Sequence, residues 1–536
     1  MRIALISIYD EYTLGPRYIS SVLREDGHET HLILFKGLEY VGPHCVPPPD
    51  RQCPDGYYGF CTYTTGKEVS LLLDLLERID PAWTGFAFAS INFGLAEFLT
   101  RAVRSRFPKT PIVWGGVDST FNPEENIQYP DVLCVGEGEY SVREWVHAFS
   151  KGEEKTSIPS LWFNLGHGEI RRNAIAPLEQ NVDNFPFPDF DIDRKHVILE
   201  DAILDSPGFP YPPKTHLHTN FVTMGTRGCP FTCTYCASGH SDQLYPGQKF
   251  VRRRSVDNII SELRMRKRTW STPLERVEFY DDVLPMSAAW VEELSRRMAT
   301  EIGLPFFGYT HPNVGKPESL QALANGGCAY LIMGIQSGSQ RTLEEYYGRR
   351  HSAEKIKEAV RNIRDAGMRV IVDLIGWNPL ETRNDNIETL GLLLDLPRPF
   401  GIIKINPMAY YDHFRIQEIA RREDIMNLLE RPKGVHAYRA IPKPEYLFWE
   451  MLHTLAQFDG LDCESVRGLV DDQYLMENPR FLEQLVEVLY QRTYMDGNPV
   501  AYKDDYIAQL RWRLHRIESS SVYKAYRKIK SLRLSS

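Results

Sequence analysis

Cys229, Cys233 and Cys236 fall within one short stretch, MGTRGCPFTCTYCASGH, at residues 224–240. Thiolates at such close spacing are soft metal ligands, and a closed tetrahedral zinc site needs four donors. No second C-x2-C and no His pair follows, and His240 stands alone nearby. The spacing therefore argues against structural zinc. Three thiolates on a loop can instead hold three irons of a 4Fe-4S cluster and leave the fourth iron open to an external ligand.

The other cysteines carry less chemistry. Cys45, Cys53 and Cys61 recur in a Pro-rich segment with no element to rigidify a second cluster, and Cys134, Cys328 and Cys463 sit in apolar surroundings as core residues. An odd total of nine over 536 residues speaks for thiols kept reduced, and hence for a cytoplasmic location. The net charge of −9 gives no global attraction to nucleic acid or an anionic membrane, and no apolar run reaches the length of a membrane span. The basic run KFVRRRSVDNIISELRMRKR is read as a loop-to-helix surface feature or a cofactor-phosphate contact in preference to a nucleic-acid face.

The cysteines need elements to position them. Residues 216–415 alternate strand candidates (NFVTMGT, ERVEFYD, PFFGYT, CAYLIMGI, MRVIVDLIG, GIIKIN) with amphipathic stretches near 255–268, 286–302, 317–326, 352–366 and 384–395. Six such units predict a partial (β/α)6 barrel whose site faces the carboxyl ends of its strands, directly after the first of which the cysteines lie. Residues 1–150 show a similar alternation (RIALISI, THLILF, WTGFAFAS, PIVWGG, VLCVGEGE) and predict an open parallel α/β sheet. Residues 36–66 read as an insertion over a ligand-binding edge, and 151–215, dense in Pro, Asp and aromatics, as an ordered connector. From 416 to 536 the pattern is helical, ending in a basic tail read as a solvated final helix.

With Tyr235 just before the last cysteine, the C-x3-C-x2-C loop resembles the hallmark of the radical S-adenosylmethionine (SAM) enzymes. The resemblance implies that the amino and carboxylate groups of SAM chelate the open iron, and that reductive cleavage yields a 5′-deoxyadenosyl radical. It also implies a flavodoxin- or ferredoxin-like electron donor. Asp281, and after it Asp282, in VEFYDD stand where the family places polar groups near the methionine amine. Gln336 and Ser337 in MGIQSGSQRTL fall in its G-x-E-S-G segment, with Gln336 in place of the usual glutamate. Arg349 in GRRHS is implied near the methionine carboxylate.

Upstream, the parallel α/β domain resembles the Rossmann-like cobalamin-binding domain of cobalamin-dependent radical enzymes. The marks are GPRYISSVLREDGHE after the first strand, Gly115 and Gly116 in WGG, and Gly136, Glu137 and Gly138 in VGEGE. Domains that place a histidine beneath cobalt carry D-x-H-x-x-G, whereas DEYTLG has Tyr12 at that position, so the lower axial site is expected to lack a protein imidazole. Asp118 in GGVDST stands where relatives often have histidine. Ser90 and Asn92 in FASINFG are candidates to face the cofactor's tail.

Residues 1–415 thus resemble a cobalamin-dependent radical SAM enzyme. The expected cofactors are a 4Fe-4S cluster, SAM and cobalamin. The expected reaction is methylation of an unactivated carbon of a small-molecule substrate through methylcobalamin. An oxidative cyclase or rearrangement enzyme of the same domain order, like the anaerobic magnesium-protoporphyrin ester cyclases, is the alternative within the class, and a non-catalytic iron–sulfur or zinc module the alternative outside it. Tyr410, Tyr411, Asp412 and His413, after the sixth barrel strand, are candidate substrate-facing residues.

Overall fold

The structure is a computed structural model that describes residues 1–495 except 9, 11, 36–63, 192, 200, 205–218, 271, 285 and 286. Cys45, Cys53, Cys61, most of the 36–66 insertion, the end of the 151–215 segment and the basic tail lie outside the described residues.

Two parallel sheets carry the site. The first contains β1 (Arg2–Ile8), β2 (Glu29–Phe35), β3 (Trp83–Ala87), β4 (Ile112–Gly115), β5 (Val132–Cys134), β6 (Leu161–Gly166), β7 (Glu169–Arg171), β8 (Lys195–Leu199) and β9 (Ala202–Leu204). Their order is β7-β6-β5-β4-β3-β1-β2-β8-β9. The neighbours β5-β4-β3-β1-β2-β8 pair in parallel, and β6, β7 and β9 add antiparallel margins. The central strands read as unbroken apolar runs because helices such as Gly66–Ile79 and Phe93–Arg106 cover the sheet; Ile3, Ala4, Ile6 and Trp114 are fully buried. The chain leaves β1 toward β2 and then crosses back to β3, so the loops after β1 and β3 diverge. That crevice is where an open α/β sheet receives its ligand.

The segment expected as a connector contributes β6 to β9 at both edges of this sheet. Its prolines confine it to short edge strands, which carry little periodicity.

The second sheet orders β10 (Asn220–Thr223), β13 (Arg276–Phe279), β14 (Phe306–Thr310), β15 (Cys328–Gln336), β16 (Arg369–Gly376) and β17 (Gly401–Pro407) sequentially and in parallel. A small pair, β11 (Thr226–Arg227) with β12 (Arg252–Arg253), frames the cysteine loop. Sequential order with right-handed crossovers puts the connecting helices on one face and leaves the other as the lumen of an open (β/α)6 barrel. Helices Val256–Thr269, Ala288–Arg297, Pro317–Asn325, Ala353–Asp365 and Arg383–Asp395 lie where the apolar periodicity predicts them.

The last region is not purely helical. β18 (Ala409–Tyr411), β19 (Leu429–Glu430) and β20 (Ala437–Ala440) form a three-stranded antiparallel sheet in the order β18-β20-β19. The strand pieces are two to four residues long, too short to show alternation in sequence. The turn before β20 docks on the first sheet, where Gly94 N–H donates to the Gly434 carbonyl at 2.7 Å. A Cβ on Gly94 would stand 2.8 Å from the Gly434 Cα, so only two glycines allow this approach.

Candidate active site

The cysteine loop is clamped from several sides. Gly228 opens it at φ +87°, where a Cβ would stand 2.8 Å from the Phe250 carbonyl oxygen, and Gly239 closes it, where a Cβ would meet the Cys233 carbonyl at 2.5 Å. Thr234 N–H donates to the Tyr347 carbonyl at 3.2 Å, and Arg415 Nη2 to the Thr232 carbonyl at 2.7 Å. His240 is consumed by the scaffold: Nδ1 lies 2.9 Å from the Cys236 carbonyl, and Nε2 accepts from Arg415 N–H at 3.1 Å. It is no fourth ligand.

Burial pushes the Cys229 thiol up to about 12 and raises Cys236, and in both cases the neighbouring cysteines and Asp282 push the same way. Desolvated thiols that would repel one another as thiolates call for a cationic partner. Among the described residues no three His, Cys, Asp or Glu side chains converge on a single-ion site. A cubane differs from a lone zinc in taking its thiolates spread around it, which fits this loop better.

At the mouth of the barrel the expected SAM-contacting residues separate into two groups. Arg349 is buried, and its Nη1 stands 3.5 Å from Cys233 Sγ and 3.2 Å from the Tyr235 hydroxyl, while Nη2 donates to the Gly334 carbonyl. Gln336, at φ +68°, donates through Nε2 to Asp373 at 3.3 Å. Arg349 Nε and Gln336 Oε1 have no hydrogen-bond partner although both side chains are more than nine-tenths buried. A buried donor and a buried acceptor left open beside a cysteine loop fit a ligand bearing both carboxylate and ammonium.

Asp281 and Ser337 are turned to structural use instead. Asp281 accepts from Gly225 N–H at 2.9 Å and Thr226 Oγ1 at 2.5 Å, and burial lifts its carboxyl to about 6. Its neighbour Asp282, placed second in sequence, is the one beside Cys229 and Cys236, where it accepts from Ser238 Oγ at 2.9 Å. Ser337 donates to Glu381 at 2.9 Å, away from the cysteines.

The first sheet's crevice faces this mouth. Tyr12, after β1, donates its hydroxyl to Glu278 of β13 at 2.8 Å, and Tyr309 donates to the other oxygen of the same carboxylate at 2.8 Å. The Tyr12 ring meets Tyr280 edge-on at 5.0 Å. Its phenol is thus committed to the barrel. Tyr411 lies within electrostatic reach of both Cys236 and Asp118, and each would raise its phenol in the ionised state.

Several crevice residues serve as interdomain struts. Glu137 pairs with Arg252 and, at 3.3 Å, with Arg227, while its N–H donates to the Tyr245 hydroxyl at 3.1 Å. Gly136 leaves the space Tyr245 and Ile175 occupy, and Gly138 the space of Cys134 Sγ. Gly116, at φ +102°, lies against the Phe88 backbone, whereas a Cβ at Gly115 would make only an ordinary contact with Cys134. Asp118 is fully buried; burial pushes its carboxyl up, but His436 at 3.0 Å, Asn126 and Ser90 outweigh that and hold it below the usual range. Ser90 is thereby tied to Asp118, and Asn92 Nδ2 donates to the Ile8 carbonyl at 3.2 Å.

Of the four residues after β17, Tyr410 is fully buried with its hydroxyl 2.5 Å from Asn378 Oδ1, Asp412 pairs with Arg431 at 2.7 Å, and His413 is exposed beside Glu125 at 3.7 Å. Four arginines of the basic run are paired with acids: Arg252 with Glu137, Arg254 with Glu262 at 2.7 Å, Arg264 with Glu301 and Arg266 with Asp191 at 2.7 Å.

Residues 223–393 match the family model described as the Radical SAM superfamily. This is a radical SAM domain. The superfamily implies a 4Fe-4S cluster and SAM for the domain at residues 223–393. It is 27% identical over 65% of its length to an uncharacterized methyltransferase of Pyrococcus horikoshii, covering 70% of that protein. Its fold matches TsrM, a radical SAM methyltransferase from Kitasatospora setae solved with cobalamin and a [4Fe-4S] cluster, at TM-score 0.60 and 14% identity over 92% of this chain and 99% of that one. It matches OxsB, a cobalamin-dependent SAM radical enzyme solved with aqua-cobalamin, at TM-score 0.62 and 15% identity over 96% and 75%. Among the described residues, no helix is long and apolar enough to cross a membrane.

Proposed function

We propose that this radical SAM protein is a cobalamin-dependent methyltransferase acting on an unactivated carbon of a small molecule. The observation that carries the reading is the shared interface: the crevice at the ends of β1 and β3 opens toward the barrel, with the Tyr12 hydroxyl bonded to Glu278 of β13 and Tyr411 within electrostatic reach of both Cys236 and Asp118. The methyltransferase relative and the folds of TsrM and OxsB support it; TsrM is also solved with tryptophan substrate and a SAM analog, at TM-score 0.56.

When bound, the cluster and SAM supply a carbon radical, and the corrinoid supplies a methyl group. Cys229, Cys233 and Cys236 hold the cluster. Arg349 takes the SAM carboxylate through Nε, while Gln336 Oε1 and Asp282 accept from its ammonium. Tyr235, braced by Arg349, keeps the loop in register with β15. Gly115 and the loop after β1 flank the corrin. Position 12 carries tyrosine in place of histidine, so the loop after β1 would offer a bound corrinoid no imidazole from that position. Glu137, through Arg252 and Arg227, and Gly136, against Tyr245, hold the first sheet to the barrel segment, and Gly138 makes room for Cys134. A flavodoxin- or ferredoxin-like donor supplies electrons in a reducing compartment, in keeping with the six free cysteines among the described residues.

Anaerobic reconstitution with iron, sulfide and hydroxocobalamin, followed by gel filtration, tests the assignment. About four irons and one corrinoid should stay with each chain. Retention of iron without corrinoid would remove the methyl-transfer reading while leaving the radical SAM domain intact.

A further inference from the structure

A histidine at the mouth of the barrel carries a donor that no neighbour uses. His311 follows β14 directly and shares the parity of Tyr309, whose hydroxyl reaches the same Glu278 carboxylate as Tyr12. Gly308 has the other parity, and a Cβ there would meet Phe279 and Leu284 on the helix-covered side. The His311 residue is 4% exposed. Its ring stacks on Phe231, between Cys229 and Cys233, with centroids 3.8 Å apart, and His351 meets it edge-on at 5.1 Å.

One hydrogen bond fixes the tautomer. Nδ1 accepts from the Asn313 backbone N–H at 3.1 Å, so the neutral ring carries its proton on Nε2. Burial first, and then the Arg349 guanidinium, hold the imidazole far below its ordinary range, so the ring is neutral at neutral pH. Nε2 has no hydrogen-bond partner among the described residues, yet it is not one of the sealed polar atoms. A donor that keeps an opening on an otherwise closed ring can be used by what enters the lumen.

The surroundings select the ligand. The ring lies against the cysteine loop and within electrostatic reach of Arg349, where SAM must lie once its methionine end is at the open iron. That end is charged, and Arg349, Gln336 and Asp282 serve it. What remains is adenosine, whose acceptors are neutral hydroxyl oxygens and ring nitrogens. A neutral N–H pairs with such an acceptor without the cost of desolvating a cation. We propose that His311 is a SAM-binding residue, donating its Nε2 proton to the adenosine portion of SAM and so fixing how that portion lies in the lumen. The inference rests on the radical SAM assignment and not on methyl transfer.

Equilibrium dialysis of the anaerobically reconstituted full chain with SAM tests it, with L-methionine as a competitor that has the chelating end and no adenosine. His311→Phe keeps a flat ring against Phe231 and removes the donor. It should retain the native iron content and the native L-methionine affinity, and bind SAM about three- to tenfold more weakly. His311→Gln, whose amide can donate, should recover part of that loss. If the phenylalanine variant loses iron, His311→Met, apolar and adaptable, takes its place with the same expectation. Unchanged SAM affinity in the iron-loaded variant, or SAM and L-methionine weakened by the same factor, would overturn the proposal. A native, iron-loaded chain that fails to bind SAM would remove the radical SAM assignment and the proposal with it.

Discussion

Arg349 fastens the end of β15 to the cysteine loop, with Nη1 3.5 Å from Cys233 Sγ and 3.2 Å from the Tyr235 hydroxyl, and with Nε left over. A planar guanidinium can brace the loop with one edge and offer the other to a carboxylate, which an ammonium cannot do. Arg349→Lys should therefore keep its iron after reconstitution and lose SAM affinity by about tenfold or more. Equilibrium dialysis with SAM checks it; unchanged affinity would remove Arg349 from the carboxylate role.

Glu137 is an interdomain strut. Its carboxylate neutralises Arg252, whose side chain is 1% exposed, and reaches Arg227 as well. Glu137→Gln leaves a buried guanidinium short of its counter-charge and should cost about 2–4 kcal/mol, seen as a lower urea midpoint. The same change at Glu354, an exposed helix partner of Lys357, should cost under about 1 kcal/mol.

Glu381 makes stability depend on pH. Its folded carboxyl titrates at about 8 because burial disfavours the charge, well above a free glutamate. A raised value means that its contribution is complete below the unfolded value near 4 and disappears as pH rises through the folded one. Urea midpoints should fall between pH 5 and pH 9 (on the order of the interval between the two values), and Glu381→Gln should flatten that slope. An equal slope in the variant would place the cause elsewhere.

If a corrinoid binds in the crevice after β1, position 12 would offer it no imidazole. The Tyr12 phenol there is held by Glu278. Loaded with cobinamide, which carries no base of its own, the protein should show a cobalt(II) electron paramagnetic resonance spectrum without nitrogen splitting. A clear nitrogen triplet would contradict this account of the loop.

The fold was legible where periodicity is long. Both parallel sheets, the barrel helices and the cysteine loop follow from apolar runs and spacing. The edge strands β6 to β9 and the sheet of β18 to β20 were not, because pieces of two to six residues carry too few alternations. In the site, spacing marks Cys229, Cys233 and Cys236, and the resemblance points to Arg349. It does not tell Asp281 from Asp282, adjacent residues whose fates were decided by which carboxylate Gly225 and Thr226 capture. His436 with Asp118, Glu278 with Tyr12, and Arg252 with Glu137 join positions more than 100 residues apart, and no local signal announces them. Two arginines of the basic run, Arg252 and Arg266, pair with acids from distant segments, which the local sequence does not announce.

The central claim is that the three-cysteine loop activates SAM beside a second cofactor. The most direct measurement is product analysis after anaerobic reconstitution and reduction with SAM, comparing the native chain with Cys233→Ala. The account predicts 5′-deoxyadenosine from the native chain and none from the variant. Reduced, cluster-loaded native protein that leaves SAM intact with candidate substrates supplied, or a Cys233→Ala protein that still cleaves it, would contradict the account.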